Sequence, residues 1–317
     1  MFLLVWFLSY RYNEVASKEV FMNIKLIVMD MDGTLLNEEG VITQETLDAL
    51  WAAQETGIHL AIASGRNPIG LMAFAKLLRM DRFGGYLVGI NGAMLVKVPE
   101  MRTLIRHQMP PSDIQDLFHY GREMNIETMA VHDETIYSYI PSSLNELKLA
   151  YRKEKNIDPA IMDAAGVWTL IQDHRKNYPH FHLVENYLDA YGSANKVCFA
   201  HEPEVMDKFY PLLLKRFGDR FNVMRTSPRW YELSPKGIDK GSALEEVKKL
   251  LNITSEEMMC FGDGENDLPM FSACAYPIAM DNAMPLVKEK AWAITAKNTE
   301  DGIAQALRKY VLTSSKT

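Results

Sequence analysis

The chain alternates between short apolar runs and longer stretches with helical spacing. "IKLIVMD" (24–30) is apolar apart from Lys25 until its final aspartate, which predicts a strand buried on both faces. "TQETLDALWAAQETG" (43–57) sets Leu47, Leu50 and Trp51 on one helical face, with Thr43 as cap and Gly57 as stop. "IHLAIASGR" is a second apolar run, "NPIGLMAFAKLLRM" a second helix, and "YLVGINGAMLV" (86–96) further strand. This alternation predicts an α/β fold with a doubly wound parallel sheet, where ligands bind beyond the carboxyl ends of the strands. "DMDGT" and "SGR" both fall at such ends, with "GING" near the rim.

The rhythm changes from about residue 109. "IETMAVHDETIYSYI" reads as two strands around His132-Asp133-Glu134, and "SSLNELKLAYRKEKN" as an exposed helix. "NKVCFA" and "FNVMRTS" read as strands separated by a helix around "VMDKFYPLLLKRF". The α/β rhythm returns with "KGSALEEVKKLL" (240–251), "MMCFGDG" (258–264) and "NDLPMFSACA". The pattern therefore predicts a core α/β domain in two parts, 22–108 and 226–317, interrupted by an inserted α+β domain at 109–225. Residues 1–21 stand apart. Their apolar run of about nine residues is short of the ~20 that cross a bilayer and lacks the basic start of a secretory signal. They are expected to be a spurious or dispensable extension, with Met22 opening the working chain.

Composition narrows the function. A length of 317 residues suits about two domains, and 48% hydrophobic with 24% charged residues is ordinary for a soluble globular protein. The formal charge of −7, from 34 basic and 41 acidic residues, leaves no basic footprint for nucleic acid. Any phosphate must be met by local cations. Cys198, Cys260 and Cys274 have no metal-type spacing and read as small core residues in a reducing cytoplasm. His174, His180 and His182 in "HRKNYPHFH" offer an HxH pair for zinc, but without a nearby completing ligand they read as polar surface.

Four short strings carry the chemistry, each at a strand end or helix start. In "DMDGT", Asp30 can ligate a hard cation or attack phosphorus, and Asp32 can donate and accept a proton. In "ASGR", the Ser64 hydroxyl and the Gly65 backbone can hold phosphate oxygens. In "KGIDKGSALEEV", Lys240 sits at a helix N-terminus, where a cation opposes the dipole and needs an anion to justify it; Lys236 competes for that role. In "FGDGENDLPM", Asp263 can supply a second metal carboxylate, with Asp267 orienting it and Asn266 opening the helix. Together they supply what phosphoryl transfer needs.

"DMDGT", "SGR", "DKG" and "GDGENDLPM", in this order, resemble the four motifs of the haloacid dehalogenase superfamily. The branch is similar to the Cof-type phosphatases, whose type IIB α+β cap is inserted between the second and third motifs; "INGA" and "AMDNAMPLVKEKAWAITAKNTEDGIAQAL" resemble it too. The resemblance implies Asp30 as nucleophile and Mg²⁺ ligand, and Asp32 as acid/base that also lends the metal its backbone carbonyl. It further implies Ser64, Gly65 and Lys240 at the phosphoryl group, Asp263 on the metal, Asn266 on phosphate or substrate, and Asp267 behind the metal. The expected activity is a cytoplasmic Mg²⁺-dependent phosphatase acting on a small phosphorylated metabolite, with sugar phosphates foremost. Neither nucleic acid nor membrane is expected as a partner. The alternatives are a hexose phosphomutase, which needs a second phosphate site among the arginines of "LKRFGDR" and "NVMRTSPR", and a regulator that binds phosphometabolites without turnover.

Overall fold

The structure is a computed structural model and describes residues 22–133, 135–154, 156, 180–185, 187 and 192–312. The expected N-terminal extension, Glu134 and His174 lie outside the described residues. In chain order the first part comprises β1 (Leu26–Asp30), α1 (Gln44–Glu55), β2 (His59–Ala63), α2 (Pro68–Leu77), the short α3 (Met80–Phe83), β3 (Gly85–Gly89), β4 (Met94–Val98) and β5 (Arg102–Arg106). The inserted part comprises α4 (Pro111–Glu123), β6 (Glu127–Val131), β7 (Thr135–Tyr139), α5 (Ser142–Glu154), β8 (His180–Leu183), β9 (Lys196–Ala200), α6 (Pro203–Phe217), β10 (Phe221–Ser227) and β11 (Trp230–Pro235). The last part comprises α7 (Lys240–Leu251), β12 (Met258–Gly262), α8 (Leu268–Ala273), β13 (Tyr276–Ala279), α9 (Pro285–Lys290), β14 (Ala293–Ile294) and α10 (Gly302–Tyr310).

Among the described residues the first and last parts share one eight-stranded sheet in the order β14-β13-β12-β1-β2-β3-β4-β5. It is parallel from β14 to β3, and β4 and β5 add antiparallel strands at one edge. The continuous apolar runs follow from burial on both faces. Ile27, Met29, Leu60 and Ile62 meet α1, α2 and α10 through Leu50, Leu71 and Ile303. Leu26, Val28, Ala61 and Cys260 point the other way, to α7, α8 and α9 through Leu244, Met270 and Val287. Thr43 caps α1 as expected, its hydroxyl accepting the Thr46 N–H at 3.3 Å.

"YLVGINGAMLV" is two antiparallel strands, reversed by a tight turn at 90–92. There Gly92 has φ +97°, and a Cβ would stand 2.0 Å from the Asp239 carbonyl oxygen, so only glycine lets this turn press on the start of α7.

The inserted part has its own six-stranded sheet, β10-β11-β9-β6-β7-β8, antiparallel except where β7 meets β8. The expected boundary after Arg225 falls inside β10. The hairpin that β10 forms with β11 keeps the chain in this sheet to Pro235. Strand alternation divides the sheet's faces. Ala130, Val197, Phe199, Tyr231 and Leu233 pack under α4 and α6. Val131, Ile136, Cys198 and Trp230 lie on the other face. Helix α5 is not simply exposed: Leu144, Lys148 and Arg152 are buried, and the Lys148 ammonium pairs with Glu127 at 2.5 Å.

Candidate active site

The parallel strands β1, β2 and β12 deliver Asp30, Ser64 and Asp263 to the same carboxyl edge, as this sheet type requires. They open into a cleft of about 710 Å³ whose other wall is the second face of the cap sheet, through Val131, Ile136, Lys196, Trp230 and Glu232. All but two of the expected residues line it: Asp30, Asp32, Ser64, Gly65, Asp263 and Asn266 do, while Lys240 and Asp267 are fully buried beneath.

Lys240 is the first residue of α7, behind an Asp239 cap that exchanges hydrogen bonds with Ser242. Its ammonium donates to Asp30 Oδ1 at 2.5 Å and to Asp267 Oδ1 at 2.6 Å. Burial acts to lower its pKa, but the Asp267 and Asp30 carboxylates outweigh that and raise it, so the lysine stays charged. Lys236 lies on the surface, its ammonium donating to the Gly218 carbonyl at 2.5 Å.

Asp267 is saturated: its second oxygen accepts the backbone N–H groups of Asp263 and Gly264 at 2.9 and 3.0 Å. Asp263 Oδ1 accepts the Thr34 hydroxyl at 2.8 Å. Among the described residues no donor reaches Asp30 Oδ2 or Asp263 Oδ2.

Three carboxylates lie together with one ammonium, which pairs with two of them, and the imbalance shows in the proton affinity of Asp30 and Asp263. Burial first, then the Asp267 charge, pushes Asp30 well above the usual carboxylate range despite Lys240. Burial likewise raises Asp263 to about 6, with Asp267 adding to it and the Thr34 hydrogen bond opposing. Oxygen atoms of Asp30, Asp263 and Asp267 lie within 4.8 Å of one another. A buried, all-oxygen cluster with surplus negative charge and two unpartnered oxygens fits a hard divalent cation. Asp263 and Asp30 have the free oxygens to hold it, whereas Asp267 is spent on Lys240 and the backbone. Among the described residues this is the sole such cluster, and the HxH histidines give none: His182 stacks on Tyr137 with ring centres 5.1 Å apart.

Asp32 turns out of this cluster. Its side chain is 60% exposed and pairs with Arg66, whose Nε donates to Oδ2 at 2.9 Å. Ser64 Oγ accepts the Arg66 N–H at 3.1 Å and keeps its own proton to donate. Sequence reasoning passed over Thr34, Arg66, Asn91 and the cap residues Lys196, Trp230 and Glu232. "SGR" contained the Arg66 signal. The cap residues carried none beyond ordinary strand alternation.

A two-domain α/β architecture with an acidic strand-end cluster under an inserted cap defines the class of protein. The chain belongs to the haloacid dehalogenase-like hydrolases, whose family description matches residues 27–307. It is 29% identical over 292 residues, covering 92% of this chain and 97% of the relative, to the 5-amino-6-(5-phospho-D-ribitylamino)uracil phosphatase YcsE of Bacillus subtilis. A crystal structure of a haloacid dehalogenase-like hydrolase from Bacteroides thetaiotaomicron matches with a TM-score of 0.71 and 28% identity, covering 90% of this chain and 99% of that one. The fold is also that of a subclass IIB sugar phosphatase (TM-score 0.66, 21% identity, 90% and 98% covered). Among the described residues no helix is long and apolar enough to cross a membrane.

Proposed function

We propose that the protein is a Mg²⁺-dependent phosphatase that hydrolyses small phosphorylated metabolites, sugar phosphates foremost, through an aspartyl phosphate on Asp30. One observation carries this reading. Lys240 fixes one oxygen of the cleft-lining Asp30 and leaves the other without a donor, which is how a nucleophilic carboxylate must be held. Asp30 Oδ2 attacks phosphorus as the bond to the leaving oxygen breaks. Asp32 protonates that oxygen, exchanging its Arg66 partner for the leaving group. Water then attacks the aspartyl phosphate, Asp32 takes its proton, and Asp30 is released with inorganic phosphate. The Ser64 hydroxyl, the Gly65 backbone and Asn266 position the phosphoryl oxygens, and Lys240 keeps Asp30 in place between steps. Mg²⁺ on Asp30, Asp263 and the Asp32 carbonyl would offset the charge of the phosphoryl oxygens.

The cap supplies an aromatic ring at Trp230 and a carboxylate–ammonium pair at Glu232 and Lys196, chemistry suited to a ring that bears hydroxyl or amino groups. Of the four arginines a mutase could use for a second phosphate, Arg216, Arg220 and Arg229 do not line the cleft. Arg216 pairs with Glu123, Arg220 with Asp113 and Asp116, and Arg229 with Glu202; Arg225 lines the cleft but pairs with Asp207 at 3.0 Å. A cytoplasmic setting is part of this reading, on the three free, buried cysteines.

A panel of phosphorylated sugars, nucleotides and cofactors, assayed with Mg²⁺ and with chelator, tests it. Metal-dependent phosphate release that Asp30→Asn abolishes is expected. No turnover of any phosphomonoester would overturn the reading.

A further inference from the structure

Asn91 joins three parts of the site that are far apart in sequence. It is the centre of the turn at 90–92, is buried, and adopts a left-handed conformation with φ 50°. Its N–H donates to the Ser64 carbonyl, and the Ile90 N–H to the Arg66 carbonyl, both at 2.9 Å, so the turn is fastened along residues 64–66. Its side-chain Oδ1 accepts from Asn266 Nδ2 at 3.4 Å, and its Nδ2 donates to Glu232 Oε2 at 3.2 Å.

The partners fix which way the amide points. A flip would set its N–H₂ against the Asn266 donor and its oxygen against a carboxylate. Glu232 stands on the cleft face of the cap, and its other oxygen takes Lys196 Nζ at 2.6 Å and Trp230 Nε1 at 3.0 Å. One carboxylate thus has one oxygen in the cap pocket and the other on the core.

We propose that Asn91 and Glu232 are positioning residues that form a cap–core bridge, through which cap placement sets the geometry of the Ser64-Gly65 loop and of Asn266. The inference rests on the reading above in taking that loop as the phosphate site. With the cap seated, Glu232 locks the Asn91 amide, and Asn91 in turn holds the loop and Asn266 together. With the cap lifted, the amide loses its acceptor and the loop loses one of its supports. The enzyme would then bind phosphate poorly until the cap carries its part of the substrate into place.

The test exchanges the two groups. Glu232→Gln and Asn91→Asp each spoil the bridge, the first by removing the carboxylate and the second by setting two carboxylates face to face. The double variant restores complementarity: Asp at 91 accepts from both Asn266 and Gln at 232, whose oxygen still serves Lys196 and Trp230. Hydrogen exchange is followed at residues 64–66 and at strands β1 and β12, beside p-nitrophenyl phosphate turnover with Mg²⁺.

Each single variant is expected to speed exchange at 64–66 about tenfold, to leave β1 and β12 unchanged, and to lower kcat/KM about tenfold. The double variant should bring exchange at 64–66 back to within about threefold of the parent. Unchanged exchange at 64–66 in both single variants, faster exchange throughout the core, or a double variant as exposed as the two singles multiplied would overturn the bridge. The exchange arm needs no turnover, so a wild-type protein inert towards p-nitrophenyl phosphate would count against the phosphatase reading and leave the bridge to stand or fall on exchange.

Discussion

Replacing Lys240 with methionine removes the one cation from the buried acid cluster while keeping most of the stem's volume. In the parent, a fully buried ammonium holds Asp30 and Asp267 at 2.5 and 2.6 Å. Without it, two buried carboxylates face each other, and Asp263 sits close by. Leaving a buried charge without its partner costs roughly 3–5 kcal/mol. That is a large share of a typical domain stability of ~5–15 kcal/mol. Urea unfolding of the metal-free protein at neutral pH, followed by far-ultraviolet circular dichroism, reads the loss. The deficit should shrink as pH falls, because an acid whose folded pKa is raised destabilises only above its ordinary range, and Asp30 is already raised by burial. Asp267→Asn added to Lys240→Met should recover part of the loss by removing one of the opposed charges. A deficit below about 1 kcal/mol, or one that grows towards acid pH, would mean that Lys240 does not neutralise the buried acids.

Two further outcomes are expected. Asp263 is raised from 3.8 to about 6 by burial, so the folded state holds its proton more tightly than the unfolded chain. The metal-free protein should therefore lose stability as pH rises from 3.8 through about 6, by up to roughly 3 kcal/mol from this group, and Mg²⁺ should stabilise it most above that window; thermal melts across pH with and without Mg²⁺ check this. Gly33→Ala should weaken both stability and the Mg²⁺ response, since Gly33 has φ +85° and a Cβ there would meet Asp263 Oδ2 at 2.4 Å. Gly40→Ala is its control, with φ +73° and nothing within 4 Å, so it carries only the backbone cost of ~1–2 kcal/mol.

How much of this was legible in the sequence follows from what each pattern encodes. β1, β2 and β12 read correctly because a strand covered by helices on both faces needs a continuous apolar run. The strand-end strings could be located because each concentrates its polar residues within a few positions of a strand end, and the structure places them at one edge of the sheet. "SSLNELKLAYRKEKN" misled because Lys148 looks solvated until its partner Glu127, on another element, is known. The same limit hid the cap wall: Lys196, Trp230 and Glu232 share a face only through the β9–β11 register. Asn91 stood in "GING", expected near the rim, but its contacts depend on a turn that brings residue 91 beside Ser64, Asn266 and Glu232. The cap boundary was missed for a related reason, since hairpin pairing keeps β11 in the cap sheet beyond the expected end at 225.

In the proposed mechanism Asp30 carries the phosphoryl group. An Asp32→Asn variant, which can accept phosphate but not readily pass it to water, is mixed with Mg²⁺ and a radiolabelled sugar phosphate, quenched in acid and digested. Label is expected on the peptide that contains Asp30, and none when Asp30→Asn is added. Label on another residue, or phosphate release that persists without Asp30, would place the nucleophile elsewhere.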